Sequence, residues 1–224
     1  IPELPEGLWV SSVCPGRFDP ATCYVTIDGH RSGTLQPYIF KTTDMGATWT
    51  SLATAGLKGY AHAILEDSES PDWLYAGTES GLFLSADGGR SWSHFTNGIP
   101  PCGVRSLALQ ERESDLVIGT HGRGVYILDQ LDLLRQVTPE VATQTLHFFE
   151  TPPAILSVSR SRGWFGGAGE FAGESPTEGA SVAYYMKKRH VFGRMRLEVF
   201  DGSGALIKEL PCGKNAGINI VDLP

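Results

Sequence analysis

At 224 residues, 41% of them hydrophobic and 19% charged, the chain has room for one or two ordinary globular domains. A formal charge of −7 argues against a nucleic-acid phosphate partner. No apolar run approaches the length needed to span a bilayer, so the sequence offers no transmembrane segment.

The chain opens Ile1-Pro2-Glu3, with neither Met nor a signal peptide, and is expected to be a fragment or a processed product. The first elements are short strands near residues 8–13, 23–27, 38–42 and 48–52, rich in aromatic and β-branched residues. Cys14 and Cys23 flank the first hairpin loop; either they pair across it or they are two small buried hydrophobes. Nothing in the Cys and His spacing suggests a metal site, and no cofactor motif is present. A second set of strands follows near 61–65, 73–77, 81–85 and 91–95, and a third near 104–110, 115–119 and 124–128. A short helix is predicted over 130–137, with Leu131, Leu133 and Leu134 on one side. The segment 146–149 is expected to supply the missing outer strand of the third set. Residues 159–180 are Gly-rich and read as a linker carrying Trp164 and Phe165. Strands resume near 181–186, 194–201, 205–210 and 218–221, with an Asp201-Gly202-Ser203-Gly204 hairpin turn.

Between the third and fourth strands of the first set lies Thr42-Thr43-Asp44-Met45-Gly46-Ala47-Thr48-Trp49. It returns 43 residues later as Ser85-Ala86-Asp87-Gly88-Gly89-Arg90-Ser91-Trp92. The Asp accepts backbone N–H bonds inside a turn, the Gly takes a positive φ, and the Trp opens the next strand with a large apolar face. An eight-residue pattern at one period signals a repeat architecture.

The motif resembles the Asp-box, or BNR, repeat. The chain is most similar to the C-terminal part of bacterial "glycosyl hydrolase-like" BNR proteins with sortilin-type propellers, and the resemblance runs on through Tyr38-Ile39-Phe40-Lys41-Thr42 and Gly119-Thr120-His121-Gly122-Arg123-Gly124. It implies an all-β fold: about three blades of a β-propeller over 1–158, a Gly-rich loop over 159–180, and an incomplete Ig- or fibronectin-like β-sandwich over 181–224. A propeller needs about four to eight blades to close, so further blades are expected upstream or from another chain. Asp44, Gly46, Trp49, Asp87, Gly89 and Trp92 are then turn and packing residues rather than catalysts. The resemblance further implies an extracytoplasmic setting: periplasmic, cell-surface or secreted.

Equivalent loops of successive blades point the same way. Those joining second and third strands carry Asp28, His30 and Arg31, then Glu79, then His121 and Arg123. Arginines suit bidentate capture of a carboxylate, and His beside Asp or Glu suits proton transfer. The opposing reading has Arg31 and Arg123 stitching blades by bonds to carbonyls. Two functions follow. The first is a non-enzymatic binding or assembly module for a protein, peptide or carbohydrate. The second is a fragment of a sialidase- or xyloglucan-hydrolase-like glycoside hydrolase, for which Asp28 and Glu79 are the carboxylates by placement.

Overall fold

Short strands rich in aromatic and β-branched residues, several buried along nearly their whole length, fold between Asp- and Gly-bearing turns into antiparallel meanders. The computed structural model describes Ile1, Leu4, residues 6–151 and residues 179–223. The Gly-rich segment, with Trp164 and Phe165, lies outside the described residues except for positions 179 and 180.

The described residues form two compact units, Ile1–Arg135 and Gln136–Pro224. The first holds three consecutive antiparallel sheets of propeller-blade type. Blade one is β1 (Trp9–Pro15), β2 (Cys23–Asp28), β3 (Tyr38–Thr42) and β4 (Thr50–Ser51), paired in chain order. Blade two repeats this with β5 (Ala61–Glu66), β6 (Leu74–Thr78), β7 (Gly81–Ser85) and β8 (Ser93–Phe95). Blade three has β9 (Val104–Gln110), β10 (Asp115–Thr120) and β11 (Val125–Leu128). The first strands lie side by side, β5 packing on both β1 and β9. Tyr24, Ile39, Leu74, Phe83 and Trp92 fill the seam between blades one and two. Tyr75, Leu82, Val104, Leu116 and Ile118 fill the next, capped by Leu131 of the short helix α1 (Leu131–Arg135). Each such side chain contributes about 1.5–3 kcal/mol by burial.

The two repeated turns are built by the same bonds. Thr42 Oγ1 donates to Asp44 Oδ1 (2.7 Å) and accepts from the Gly46 amide (2.9 Å). Asp44 then accepts from the Thr48 amide (2.8 Å) and hydroxyl (2.5 Å). Ser85, Asp87, Gly89 and Ser91 reproduce this at 2.8, 2.9, 2.9 and 2.6 Å. Bonds from Thr48 and Thr42 hold the Asp44 carboxyl down at about 2. Gly46 and Gly89 sit at φ 90° and 89°, where a side chain would be strained. The tryptophans differ. Trp92 Nε1 crosses to the Leu52 carbonyl of blade one (2.9 Å), whereas Trp49 Nε1 bonds within its own turn, to Gly46 O (3.0 Å).

Two expectations need correction. Cys14 and Cys23 are free thiols. Cys14 stands opposite Tyr24, and Cys23 opposite Pro15, one residue on; since strand side chains alternate faces, the two cysteines point to opposite sides of the sheet. The strand at 146–149 does not complete blade three. As β12 (Leu146–Phe148) it pairs with β13 (Ala180–Met186), so the division falls at residue 135 rather than 158.

The second unit adds α2 (Pro139–Thr143), capped by Thr138 Oγ1 accepting from the Val141 amide (3.3 Å). Its sheet runs β12, β13, β16 (Gly217–Leu223), and a separate hairpin joins β14 (Arg196–Phe200) to β15 (Leu206–Pro211). Tyr184, Met186 and Val221 pack with Leu197 and Leu210 of the hairpin, so the two sheets share one core.

Candidate functional site

The site grows from one irregularity that all three blades share. Pairing skips a residue between Val10 and Ser12, between Ala61 and Ala63, and between Val104 and Ser106. Each skip is a β-bulge, which re-aims one side chain. The bulged residues are Ser11, His62 and Arg105. Just before each bulge stand Trp9, Tyr60 and Gly103, opposite Asp28, Glu79 and His121: Trp9 pairs with Asp28, Glu79 N donates to Tyr60 O (3.1 Å), and His121 N donates to Gly103 O (2.8 Å).

His62 is the hub. Its buried imidazole places Nδ1 3.6 Å from Asp28 Oδ2 and Nε2 3.2 Å from Glu79 Oε2. Arg105 Nη1 lies 3.2 Å from Nδ1, and Nη2 reaches Glu79 Oε2 at 3.4 Å. One tautomer satisfies the two hydrogen bonds within range: Nε2–H donates to Glu79 while Nδ1 accepts from Arg105, and Asp28 Oδ2 lies 3.6 Å from the bare Nδ1. Burial pushes His62 below the usual imidazole range, outweighing the pull of both carboxylates, so it is neutral at pH 7. Burial opposes ionisation of Glu79 as well. Bonds from His62 and Tyr60 and the charge on Arg105 win there, and hold its carboxyl below the usual range. Gly103 leaves room for the Glu79 carboxyl, since a Cβ there would meet Glu79 Oε2 at 2.8 Å and the side chain would have to shift.

Asp28 is only 3% exposed. It accepts from the His30 amide (2.9 Å), and His30 Nδ1 lies 2.9 Å from the same oxygen. His30 stacks on Tyr60 at 5.1 Å and meets Trp9 edge-on at 5.1 Å, while Tyr60 meets His62 edge-on at 4.9 Å. The Arg31 guanidinium caps this ladder, 5.1 Å above the Trp9 ring. The outer rungs, His30 and Arg31, are exposed.

Of the residues expected from the repeat, Asp28, His30, Arg31 and Glu79 come together. His121 and Arg123 are exposed on the neighbouring loop, and among the described residues their side chains make no hydrogen bond or ion pair. Among the described residues, neither Arg31 nor Arg123 bonds a carbonyl of a neighbouring blade. Sequence reasoning missed Trp9, Tyr60, His62 and Arg105. Their one signal was position, at the start of each first strand. Between the two carboxyls of Asp28 and Glu79 lies the His62 ring.

No protein-family model matches the sequence, and no curated protein sequence matches it. Among solved structures the chain is similar to a GH74 enzyme of Niastella koreensis, at 13% identity and TM-score 0.44, over 88% of this chain and 29% of that one. It is similar to an ancestral GH74 enzyme at 14% and 0.45, over 90% and 27%. It is also similar to YCF48 bound to D1 peptide, at 13% and 0.37, over 91% and 54%. The chain thus spans under a third of the GH74 chains and about half of the YCF48 chain. The blade architecture itself rests on strand order and register.

Proposed function

We propose that the first unit is part of a non-enzymatic, extracytoplasmic binding module of Asp-box propeller type. Its ligand, a peptide, protein or glycan, would meet the partly exposed Arg31–Trp9–His30–Tyr60 ladder together with Arg105 and Arg123. The remaining propeller blades would come from upstream sequence or another chain, and the second unit would be part of an Ig-like sandwich. The observation that carries the reading is the place of His62. A glycosidase sets its two carboxyls about 5–9.5 Å apart across an open gap that admits the scissile bond. Here an imidazole fills the gap between Asp28 and Glu79, and both carboxyls are held by neighbouring groups. The rim offers an exposed guanidinium and partly exposed aromatic faces, which suit a carboxylate or a sugar ring.

The test is titration with a peptide bearing a free C-terminal carboxylate and, separately, with a xyloglucan oligosaccharide. Saturable binding of one is expected. It should weaken by about one to two decades in Arg31→Ala or Arg123→Ala, with the melting temperature nearly unchanged. Release of reducing ends from xyloglucan, abolished by Glu79→Gln, would favour the hydrolase instead.

A further inference from the structure

The chain carries −7 overall, yet Lys187-Lys188-Arg189-His190-Val191-Phe192-Gly193-Arg194-Met195-Arg196 has five cationic residues and no acidic one. This stretch joins β13 to β14, and residues 187–194 are all exposed. Val191 and Phe192 stand at its apex, 69% and 85% exposed. The loop is fixed at both sides. The His190 amide donates to Lys214 O (2.9 Å), and Lys214 Nζ donates to Gly193 O (2.5 Å). Gly193 reverses the chain at φ 79°, just after Phe192, and Met195 turns back into the core of the unit. Two cations already have partners at the surface: Lys187 Nζ with Thr143 O (3.4 Å) and Arg196 with Glu209 (2.6 Å). Among the described residues, no acidic side chain pairs with Lys188, Arg189 or Arg194.

We propose that this loop docks on an anionic lipid surface. Val191 and Phe192 enter the interface, and Lys188, Arg189 and Arg194 meet the headgroup phosphates. A polyanion would match the cations and leave the two apolar side chains in water. A bilayer interface takes both, since amphipathic elements with a basic rim and an aromatic or aliphatic tip bind by apolar burial plus attraction to anionic lipid. No helix among the described residues is long and apolar enough to cross a membrane.

Flotation of the 224-residue chain with vesicles tests this. It should float with vesicles containing phosphatidylglycerol and stay behind with phosphatidylcholine alone. Lys188→Ala/Arg189→Ala/Arg194→Ala should weaken partitioning on the order of 100-fold. Val191→Ala/Phe192→Ala should weaken it about ten-fold. All five positions are exposed, so both variants should melt with the parent. No flotation with the anionic vesicles, equal flotation with neutral ones, or undiminished flotation of Val191→Ala/Phe192→Ala would each overturn the proposal. The last result would leave a purely electrostatic site, indifferent to whether its anion is lipid or soluble.

Discussion

Two kinds of carboxylate sit at opposite ends of the blade strands. Asp44 and Asp87 are satisfied by groups no more than four residues away. Glu79 is met by His62 of its own blade and by Arg105 of blade three, 26 residues away, while Asp28 bonds to His30 and has His62 of blade two 3.6 Å off. A third case, Asp67, is bound by Arg135 across 68 residues. Local satisfaction makes a turn that folds on its own sequence. Distant satisfaction makes a joint that exists only when blades meet, and its groups are free to differ from one blade to the next. The repeated turns are nearly identical, whereas the joint reads Asp28, Glu79 and His121 at equivalent positions.

Breaking the deepest joint should cost most. Arg135 grips both oxygens of the fully buried Asp67 at 2.9 Å, and Tyr75 donates to the same carboxyl at 2.6 Å. Arg135→Ala leaves that charge uncompensated, and chemical denaturation should register a loss of about 3–5 kcal/mol. A loss below about 1 kcal/mol would mean that the joint is not structural.

A local turn should cost less. Asp87→Ala strands two hydroxyls and a backbone amide, for an expected loss of about 1–3 kcal/mol by the same measurement. Asp44→Ala should act in the same direction. Neither should alter the His62 resonances at the far end of the blade; a change there would merge the two classes.

Acidification should separate them further. His62 takes up a proton less readily than in the unfolded chain, whose imidazole titrates at 6.5. Its contribution is therefore complete above that pH, and stability falls as pH drops below it. Asp44, Asp87 and Glu79 have lowered carboxyl values, so they lose stability only at lower pH, as it falls through their folded values. Thermal melts should accordingly decline as pH falls below 6.5 in the parent and flatten there in His62→Gln. An unchanged slope would remove His62 from the account.

The smallest effect is a gain. Met45 has φ 56° and is 83% exposed, where the second turn has Gly88 at φ 70°. The left-handed region costs a non-glycine residue about 1–2 kcal/mol, and glycine loses about 0.5–1 kcal/mol in chain entropy. Met45→Gly should therefore stabilise by roughly 0.5 kcal/mol, visible as a small upward shift in melting.

The same contrast sets what the sequence discloses. Strand positions and both turns are legible, because β-branched and aromatic enrichment and the Thr/Ser–Asp–Gly–Trp pattern act within a few residues. Asp28, His30, Arg31 and Glu79 are legible because the repeat assigns them equivalent loops. His62 and Arg105 are not, since a bulge carries no residue signature and the bonds of Arg105 cross to another blade. Pairing of 146–148 with 180–186 escaped for a like reason: a three-residue strand gives too little pattern to name its neighbour. The Cys14–Cys23 expectation failed on register, where one residue decides the face.

The claim that most depends on this geometry is that a neutral imidazole closes the gap between Asp28 and Glu79. Long-range nitrogen–proton spectra of the His62 ring test it directly. The structure calls for a protonated Nε2 and a bare Nδ1 at pH 7, with titration below 6.5. A ring that is doubly protonated at pH 7, or that carries its proton on Nδ1, would contradict the arrangement and reopen the carboxyl pair to chemistry.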